Sequence, residues 1–227
     1  MALVDRLLTR LGLDFGGISL RSEARSPITP HLVVGARPRA DELEALEAEG
    51  ITHVCSCLDA HVFPKVGFLG ACFETLQLPL RDAMDEDAAR FFSAFFAFAD
   101  AARRGGGKVL VHCEAGVSRS ATLATALLMR DGGLTFVEAY EALRAKRPGV
   151  LPNLGFASQL QRLEGQLLPD HGGAPSSLAR YLREACAAPV EVEVLDEVLA
   201  RHRHDAPAAL RAIFGGEIPR VVQGARR

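Results

Sequence analysis

Short apolar runs alternate with segments of helical periodicity from residue 30 to residue 168, and this alternation restricts the fold more than any other feature of the sequence. The runs are nearly continuously apolar and rich in β-branched residues, as expected of parallel strands buried on both faces. The predicted strands are His31–Gly35, Ile51–Leu58, Phe73–Leu80 and Lys108–His112. The pattern therefore predicts an α/β fold with a single, mostly parallel central sheet flanked by helices.

The segments between and after these strands are predicted helices. Two of them begin with a capping-box pattern, Asp41-x-x-Glu44 and Thr135-x-x-Glu138, in which side chains satisfy the first backbone N–H groups of a helix. Residues Asp85–Arg103 carry a broad face of phenylalanines, and Ser118–Arg130 is an apolar helix closed by two glycines. All four helices have an apolar face that must pack on the sheet.

Both ends of the chain differ from this central pattern. Residues 2–11 predict a short amphipathic helix that packs on the main body, with contact to a membrane surface as the alternative. Residues Pro169–Ser177 form a connector rich in Pro, Gly and Ser. Beyond it we predict a helix (Ser177–Ala187), a strand (Val190–Val194), a helix (Asp205–Phe214) and a short apolar stretch at 221–222. We therefore divide the chain into an N-terminal helix and connector (1–27), a main domain (28–168) and a small α+β extension of unknown role (169–227).

Composition excludes several classes of protein. The 26 Lys and Arg are balanced by 28 Asp and Glu, which argues against a nucleic-acid binder. No apolar run approaches the roughly 18 residues of a membrane span. Charged residues at Asp5 and Arg6 interrupt the start of the chain, unlike the core of a secretory signal. The five cysteines fit no disulfide framework, so we expect a cytoplasmic protein with free thiols.

One segment carries the elements of a phosphate-binding site. The apolar strand that ends at His112 is followed by Cys113, by five further residues and then by Arg119, which opens a helix. A loop of this length can turn its backbone N–H groups around one tetrahedral anion, and the helix N-terminus adds positive potential. Gly116 permits a backbone conformation that a Cβ would obstruct, and the planar fork of Arg119 can bind two phosphate oxygens.

The same positive field favours the thiolate form of Cys113, which would then be a nucleophile facing a bound phosphate. The alternative is a buried cysteine at a strand end with an unrelated surface arginine. His112 before the cysteine, Gly116 at its third position and Ser120 after the arginine favour the functional interpretation.

With these motifs the sequence resembles the dual-specificity branch of the cysteine-dependent protein tyrosine phosphatases, and in particular its small, atypical members. The resemblance runs from Ile28 to Glu164. Its motifs are Leu32-x-x-Gly35, the segment 50–54, Leu78-Pro-Leu-Arg-Asp82, the signature 112–120, Arg147-Pro148 and Pro152-Asn153-x-Gly155-Phe156.

The resemblance implies a role for each site residue. Cys113 would attack phosphorus, and Ser120 would stabilise its sulfur as the phosphocysteine breaks down. Arg119 and the amides of Glu114, Ala115, Gly116, Val117 and Ser118 would bind the phosphate oxygens. His112 would support the loop by hydrogen bonding, and Asn153 would brace it. Asp82 would be the general acid, with Asp85 and Asp87 as rivals that fall at the predicted start of a helix. The chemistry needs no metal and no cofactor.

A phosphorylated protein is the expected substrate, with phosphotyrosine preferred and phosphoserine or phosphothreonine next. Within the resembling family, lipid-directed members tend to carry lysine inside the loop, whereas the interior of this loop has no base and one acid, Glu114. A phosphoinositide or another small phosphate is the enzymatic alternative. A catalytically silent, phosphate-dependent binding module is the alternative from another class.

Three further groups of residues admit two interpretations. Arg144, Lys146 and Arg147 either complement a helix dipole or, at Arg147, steer a second phosphate. His171, His202 and His204 are interpreted as solvated rather than metal-binding. Cys55 and Cys57 are expected to point to opposite faces of the sheet, either as core residues or with one of them near Cys113.

Overall fold

The computed structural model describes residues 24–59, 69–170, 176–185, 188 and 190–216. The strands are β1 (Arg25–Thr29), β2 (Leu32–Gly35), β3 (Ile51–Ser56), β4 (Glu74–Gln77) and β5 (Lys108–His112). The helices are α1 (Leu43–Ala48), α2 (Phe92–Arg104), α3 (Arg119–Gly132), α4 (Phe136–Lys146), α5 (Leu154–Leu167), α6 (Ser177–Glu184), α7 (Val192–Arg201) and α8 (Ala206–Ile213). Short 3-10 turns, Ala40–Glu42 and Ala89–Phe91, precede α1 and α2.

Within the described residues, the strands form one five-stranded sheet in the order β1-β2-β5-β3-β4. Strands β2, β5, β3 and β4 are parallel to one another, so the predicted α/β fold is confirmed. Strand β1 is an antiparallel edge strand that the sequence analysis missed. It contains Pro27, which cannot donate to a ladder and is tolerated at such an edge.

Both faces of the sheet are covered by apolar side chains. On one face, Val109 and Val111 of β5 belong to the larger core, which α2, α3, α4 and α5 complete. On the other face, Leu110 packs in a smaller cluster that includes Leu46 of α1. Side chains alternate along a strand, so β5 contributes to both cores. The central strand therefore ends at a fixed position between two packed layers.

Cys55 and Cys57 share one face of the sheet, so the expectation that they point to opposite faces is wrong. Residues two apart on a strand project to the same side. Both thiols are buried in the larger core, as are Val111 and Cys113. Cys55 pairs in register with Val111, and the N–H of Cys57 donates to the carbonyl of His112.

Helix α2 begins seven residues later than its predicted start at Asp85. The segment before it is held by tertiary hydrogen bonds. Gln159 Oε1 accepts from the N–H groups of Ala88 and Ala89, and Gln159 Nε2 donates to the carbonyl of Glu86. These bonds use backbone groups that a longer helix would pair internally.

The predicted strand Val190–Val194 is wrong, because helix α7 begins at Val192. The alternation of Val and Glu suggested a strand, but burial follows the helical period. Leu195 and Leu199 are fully buried, whereas Val194 is 47% exposed. Within its described residues the C-terminal extension is therefore helical rather than α+β.

The extension packs directly on the main domain. The ring of Tyr181 in α6 lies 5.1 Å from that of Phe136 and 4.9 Å from that of Tyr140. The hydroxyl of Tyr181 donates to the carbonyl of Pro152, and the N–H of Ala206 donates to Ser158 Oγ. The predicted helix over residues 2–11 and the stretch 221–222 lie outside the described residues.

Candidate active site

The candidate site forms where β5 ends. Cys113 directly follows the strand, and the six residues after it form a loop that leads into α3 at Arg119; we call this the 113–119 loop. Gly116 has a φ of 70°, and a Cβ there would lie 2.6 Å from the backbone of Gly35. Both the conformation and the space at this turn therefore require glycine.

The carbonyl groups of residues 114–117 in the loop are all bound from outside it. Glu114 O accepts from the N–H of Arg37, and Val117 O accepts from the N–H of Leu151. The carbonyls of Ala115 and Gly116 accept from the side chain of Arg147, at 3.2 and 2.9 Å. Because these carbonyls are tied outward, the loop can present its N–H groups to an anion at its centre.

Arg147 is the residue whose role the sequence analysis missed. Its side chain is buried at the end of α4, and Nη1 also donates to Ser26 Oγ at 3.1 Å. Its guanidinium donates to loop carbonyls, a role that neither prediction for this residue included. The Arg147-Pro148 motif was the available signal, but only the fold shows what the side chain reaches.

The sulfur of Cys113 accepts two hydrogen bonds. The N–H of Gly116 donates to Sγ at 3.2 Å, and the hydroxyl of Ser120 donates at 3.3 Å. Both donors stabilise negative charge on sulfur more than they stabilise a neutral thiol. The structure thus places Ser120 where the resemblance implied.

Arg119 presents a buried donor that lacks a partner within the described part of the chain. The residue is 8% exposed, and its Nε makes no hydrogen bond there. Nη1 lies 3.5 Å from the carbonyl of Leu80, and Nε lies 3.8 Å from Asp82 Oδ2. A buried guanidinium N–H without a partner is costly, and a bound oxyanion would satisfy it.

Asp82 is the one of the three candidate acids that contacts the loop through described hydrogen bonds. Its Oδ1 accepts from Ser118 Oγ at 2.7 Å and from Asn153 Nδ2 at 2.9 Å. Asp85 instead pairs with Arg81, with a side chain that is 78% exposed. Asp87 accepts from the N–H of Arg90 within its own segment. Geometry therefore favours Asp82 over both rivals.

Asn153 connects helix α5 to this acid. Its Oδ1 caps the helix by accepting from the N–H of Phe156 at 3.0 Å. Its Nδ2 donates to Asp82, and its own N–H donates to Ser118 Oγ at 3.2 Å. The side chain therefore braces Asp82, and only its backbone reaches the 113–119 loop.

His112 is fully buried beneath the loop. Burial lowers the pKa of its imidazole from 6.5 to about 4, so the ring is neutral near pH 7. Its Nδ1 lies 3.4 Å from the carbonyl of Cys113, while Nε2 has no partner among the described residues. His112 therefore supports the loop through one long contact with the adjacent residue and through packing.

The remaining candidates lie away from this centre. Glu114 Oε2 is 3.7 Å from Arg37 Nε at the edge of the loop. His202 and His204 lie in the turn between α7 and α8, and His171 lies outside the described residues. Within the described ranges, no group of three His, Cys, Asp or Glu is arranged to hold a metal ion. No described helix is long and apolar enough to cross a membrane.

Comparison with known sequences identifies relatives of this chain. Residues 32–166 match the family model of the dual specificity phosphatase catalytic domain. Human dual specificity protein phosphatase 2 is 33% identical over 162 residues, which cover 67% of this chain and 50% of that protein. Mouse dual specificity protein phosphatase 14 is 36% identical over 154 residues, which cover 68% of this chain and 72% of that protein. The chain thus matches only half the length of the human relative.

Solved structures give the same family. The crystal structure of the human tyrosine phosphatase-like serine/threonine/tyrosine-interacting protein aligns with a TM-score of 0.59 and 33% identity, covering 63% of this chain and 97% of that chain. PTPMT1 in complex with PI(5)P aligns with a TM-score of 0.60 at 22% identity, covering 65% and 98%, which is a likeness of fold. Since the family model covers more than half of the sequence, the chain belongs to the dual specificity phosphatase catalytic-domain family.

Proposed function

We propose that this protein hydrolyses phosphate monoesters on phosphorylated proteins, with phosphotyrosine preferred, through a phosphocysteine intermediate. The observation that carries the proposal is that a hydrogen-bonded cysteine sulfur and a guanidinium N–H without a hydrogen bond lie together in one loop. The sulfur of Cys113 accepts two hydrogen bonds, while the adjacent buried Nε of Arg119 has no hydrogen-bond partner among the described residues and lies 3.8 Å from a carboxylate oxygen of Asp82. A nucleophile whose sulfur accepts hydrogen bonds, beside a guanidinium N–H that no hydrogen bond uses, suits attack on a bound phosphoryl group.

In the first step the thiolate of Cys113 attacks phosphorus, an S–P bond forms, and the P–O bond to the leaving group breaks. Asp82, in its protonated form, transfers a proton to the leaving oxygen. Arg119 and the N–H groups of Glu114, Ala115, Gly116, Val117 and Ser118 bind the equatorial oxygens, where the transition state spreads its charge.

In the second step water attacks phosphorus, the Asp82 carboxylate accepts a proton from that water, and the S–P bond breaks to return the thiolate. Ser120 Oγ donates to the departing sulfur, at 3.3 Å in the present geometry. His112 and Asn153 are positioning residues in this scheme. The two steps consume water, release inorganic phosphate and require no metal or cofactor.

A phosphoprotein is a better fit than a lipid head group. The 113–119 loop offers Arg119 as its only base and contributes Glu114, so its charge suits one phosphoryl group rather than several. Two relatives at more than 30% identity are named protein phosphatases. The structure named for a complex with PI(5)P is only 22% identical and supports the fold alone.

Two alternatives define the experiment. The lipid alternative predicts faster turnover of phosphoinositides than of peptides. The binding-module alternative predicts phosphate-dependent binding without turnover. One structural neighbour is named as a phosphatase-like interacting protein, which is why this alternative is tested.

We further infer a cytoplasmic location, which the free, buried thiols of Cys55, Cys57 and Cys113 support.

The test is hydrolysis of para-nitrophenyl phosphate, of a phosphotyrosine peptide, of a phosphoserine peptide and of phosphoinositide vesicles by the full chain. We expect turnover of the first two substrates and its loss in Cys113→Ser. Cys72→Ser is the matched control, because Cys72 is an exposed free thiol outside the site. Full activity of Cys113→Ser, or binding without turnover by the wild-type protein, would overturn the proposal.

A further inference from the structure

A groove of about 1070 Å³ leads away from the candidate site, and the C-terminal extension forms one of its walls. Ser118, Arg119 and Asp82 line its inner end. One side is the segment 82–87, and the floor is the cap Asn153 with one face of α5, which carries Ser158, Gln159 and Arg162. The far wall comes from α8 and its cap, at Asp205, Pro207 and, in the last turn, Arg211. The volume slightly exceeds that of an ordinary small-ligand pocket.

The far wall is fixed in place. The N–H of Ala206 donates to Ser158 Oγ at 2.9 Å, which attaches the first turn of α8 to α5. Ala209 and Leu210 of α8 are fully buried in the core shared with the main domain. The family model ends at residue 166, so α8 is an addition to the family domain rather than part of it.

The carboxylates that line the groove all have partners. Asp82 accepts hydrogen bonds from Ser118 and Asn153. Asp85 and Glu86 pair with Arg81. Asp87 accepts from the backbone N–H of Arg90, and Asp205 accepts from that of Ala208. Glu86 is bound by Arg90 as well. Asp82, Asp85 and Glu86 thus lie within 4 Å of arginine side chains, whereas the donors to Asp87 and Asp205 among the described residues are neutral N–H groups.

Unlike these carboxylates, two arginines that line the groove have no partner among the described residues. Arg162 and Arg211 are exposed, and their guanidinium groups have neither a hydrogen-bond nor an ion-pair partner among the residues that the structure describes. They come from different helices, α5 and α8, and line the same groove. Two arginines on helices, whose N–H groups make no hydrogen bond within the described residues, are suited to bind a carboxylate or a phosphoryl group.

We propose that Arg162 and Arg211 form an anion-binding subsite that selects phosphopeptide substrates with a second anionic residue beside the phosphorylated one. This inference rests on the proposed phosphatase function and gives the C-terminal extension a part in substrate selection. The second anion is a glutamate or aspartate carboxylate, or a further phosphoryl group.

Helix geometry sets the spacing of the second anion. Arg162 lies nine residues along α5 from its cap Asn153, which touches Asp82. Nine residues of α-helix rise about 13 Å. An extended peptide covers that length in roughly four residues. We therefore expect the strongest effect with the acidic residue three to five positions from the phosphotyrosine.

The test compares phosphotyrosine peptides that carry a single glutamate, phosphoserine or alanine at each position from two to six residues on either side. We expect a five- to tenfold lower KM for the anionic peptides at the preferred position, and a larger effect for phosphoserine than for glutamate. In the double variant Arg162→Gln with Arg211→Gln, the ratio of the KM of the alanine peptide to that of the anionic peptide should fall to near one. Arg162→Glu with Arg211→Glu should invert it in favour of a lysine-containing peptide.

Arg180→Gln, on the exposed face of α6, is the matched control and should keep the full preference. Turnover of para-nitrophenyl phosphate by every variant reports the reaction centre separately. If wild type fails to turn over any substrate, the proposed function fails. If it turns over peptides without preferring anionic ones, or if the double Gln variant keeps the preference, only the subsite is overturned. Selective loss of phosphoinositide hydrolysis in that variant would assign the subsite to a lipid head group and also overturn the proposal.

Discussion

The hydroxyl of Ser118 donates a 2.7 Å hydrogen bond to Oδ1 of Asp82, which attaches the candidate acid to the loop that would hold the phosphate. The same hydroxyl accepts from the backbone N–H of Asn153. Ser118, the residue before Arg119, thus connects the N-terminal cap of α5 to the acid. Acid and anion site are consequently positioned by one short hydrogen-bonded chain.

Replacement of Asp82 by Asn should lower kcat by about 100-fold, which is typical of the loss of a general acid. The loss should grow with the basicity of the leaving group, and the decline of the rate at high pH should flatten. The measurement is kcat against pH for a series of aryl phosphates. Asp87→Asn is the control, and our assignment is wrong if that variant shows this signature and Asp82→Asn does not.

Arg147→Met should impair the loop although Arg147 would not touch substrate. It removes the donor from the carbonyl of Gly116, a buried residue, at a cost of about 1–3 kcal/mol, and from the carbonyl of Ala115, an exposed residue that water can reach. We expect a lower melting temperature together with a KM for para-nitrophenyl phosphate raised about tenfold or more. Lys146→Met, at the exposed neighbouring position, is the control. Unchanged KM with reduced stability would limit Arg147 to a purely structural role.

The neutral, buried His112 should make stability depend on pH. Its pKa is lowered to about 4 in the folded state, so between that value and about 6.5 the unfolded chain binds a proton that the folded protein does not. The stability is therefore fully present above pH 6.5 and falls as pH drops toward 4. A shift of this size corresponds to about 3 kcal/mol.

Urea unfolding at a series of pH values tests this dependence by its slope. His112→Gln should lose the slope between pH 6.5 and 4, whatever its effect on absolute stability. His53→Gln is the comparison, as His53 is only partly buried on β3. An unchanged slope in His112→Gln would show that another group titrates there.

Oxidation should link Cys113 to Cys57 rather than to Cys55. Ser56 and His112 are register partners at the ends of β3 and β5, so Cys57 and Cys113, which directly follow these strands, lie side by side at a spacing of about 5 Å. That spacing is within the range of a disulfide. Peroxide would convert the Cys113 thiolate to a sulfenic acid, and attack by the Cys57 sulfur would release water and form the S–S bond.

Burial and its neighbours Cys55 and Cys113 raise the pKa of the Cys57 thiol, so the linking step should be slow at neutral pH and faster in alkali. Peptide mapping without reductant should show the Cys57–Cys113 pair, and a thiol should restore activity. Cys57→Ser should abolish recovery while Cys55→Ser retains it. Irreversible inactivation of the wild type with no linked peptide would contradict the prediction.

The sequence could predict the sheet and the chemistry of its central loop, because both depend on local patterns. Apolar runs of strand length identified β2, β3, β4 and β5, and the spacing from Cys113 to Arg119 identified the loop. Strand β1 was missed, since an edge strand with Pro27 lacks the apolar signature of a buried one. Helix α7 was mistaken for a strand because its alternating Val and Glu mask a helical burial pattern.

What could not be predicted depends on contacts between distant segments. Arg147 binds carbonyls some 30 positions earlier in the chain, and no local pattern distinguishes that use from a surface charge. Gln159 holds the segment before α2 from more than 70 residues away and delays the start of that helix. The faces of Cys55 and Cys57, in contrast, follow from strand geometry alone and needed no structure.

The aromatic cluster of Tyr181, Phe136 and Tyr140 couples the unfolding of the C-terminal extension to the unfolding of the main domain. A chain cut after Leu168 would expose the rings of Phe136 and Tyr140 to water and leave the carbonyl of Pro152 without its donor. Residues on both sides of the family boundary thus share one cooperative unit. Chemical denaturation should accordingly show a single transition, in which the change in tyrosine fluorescence, from Tyr140 and Tyr181, and the loss of helix occur together.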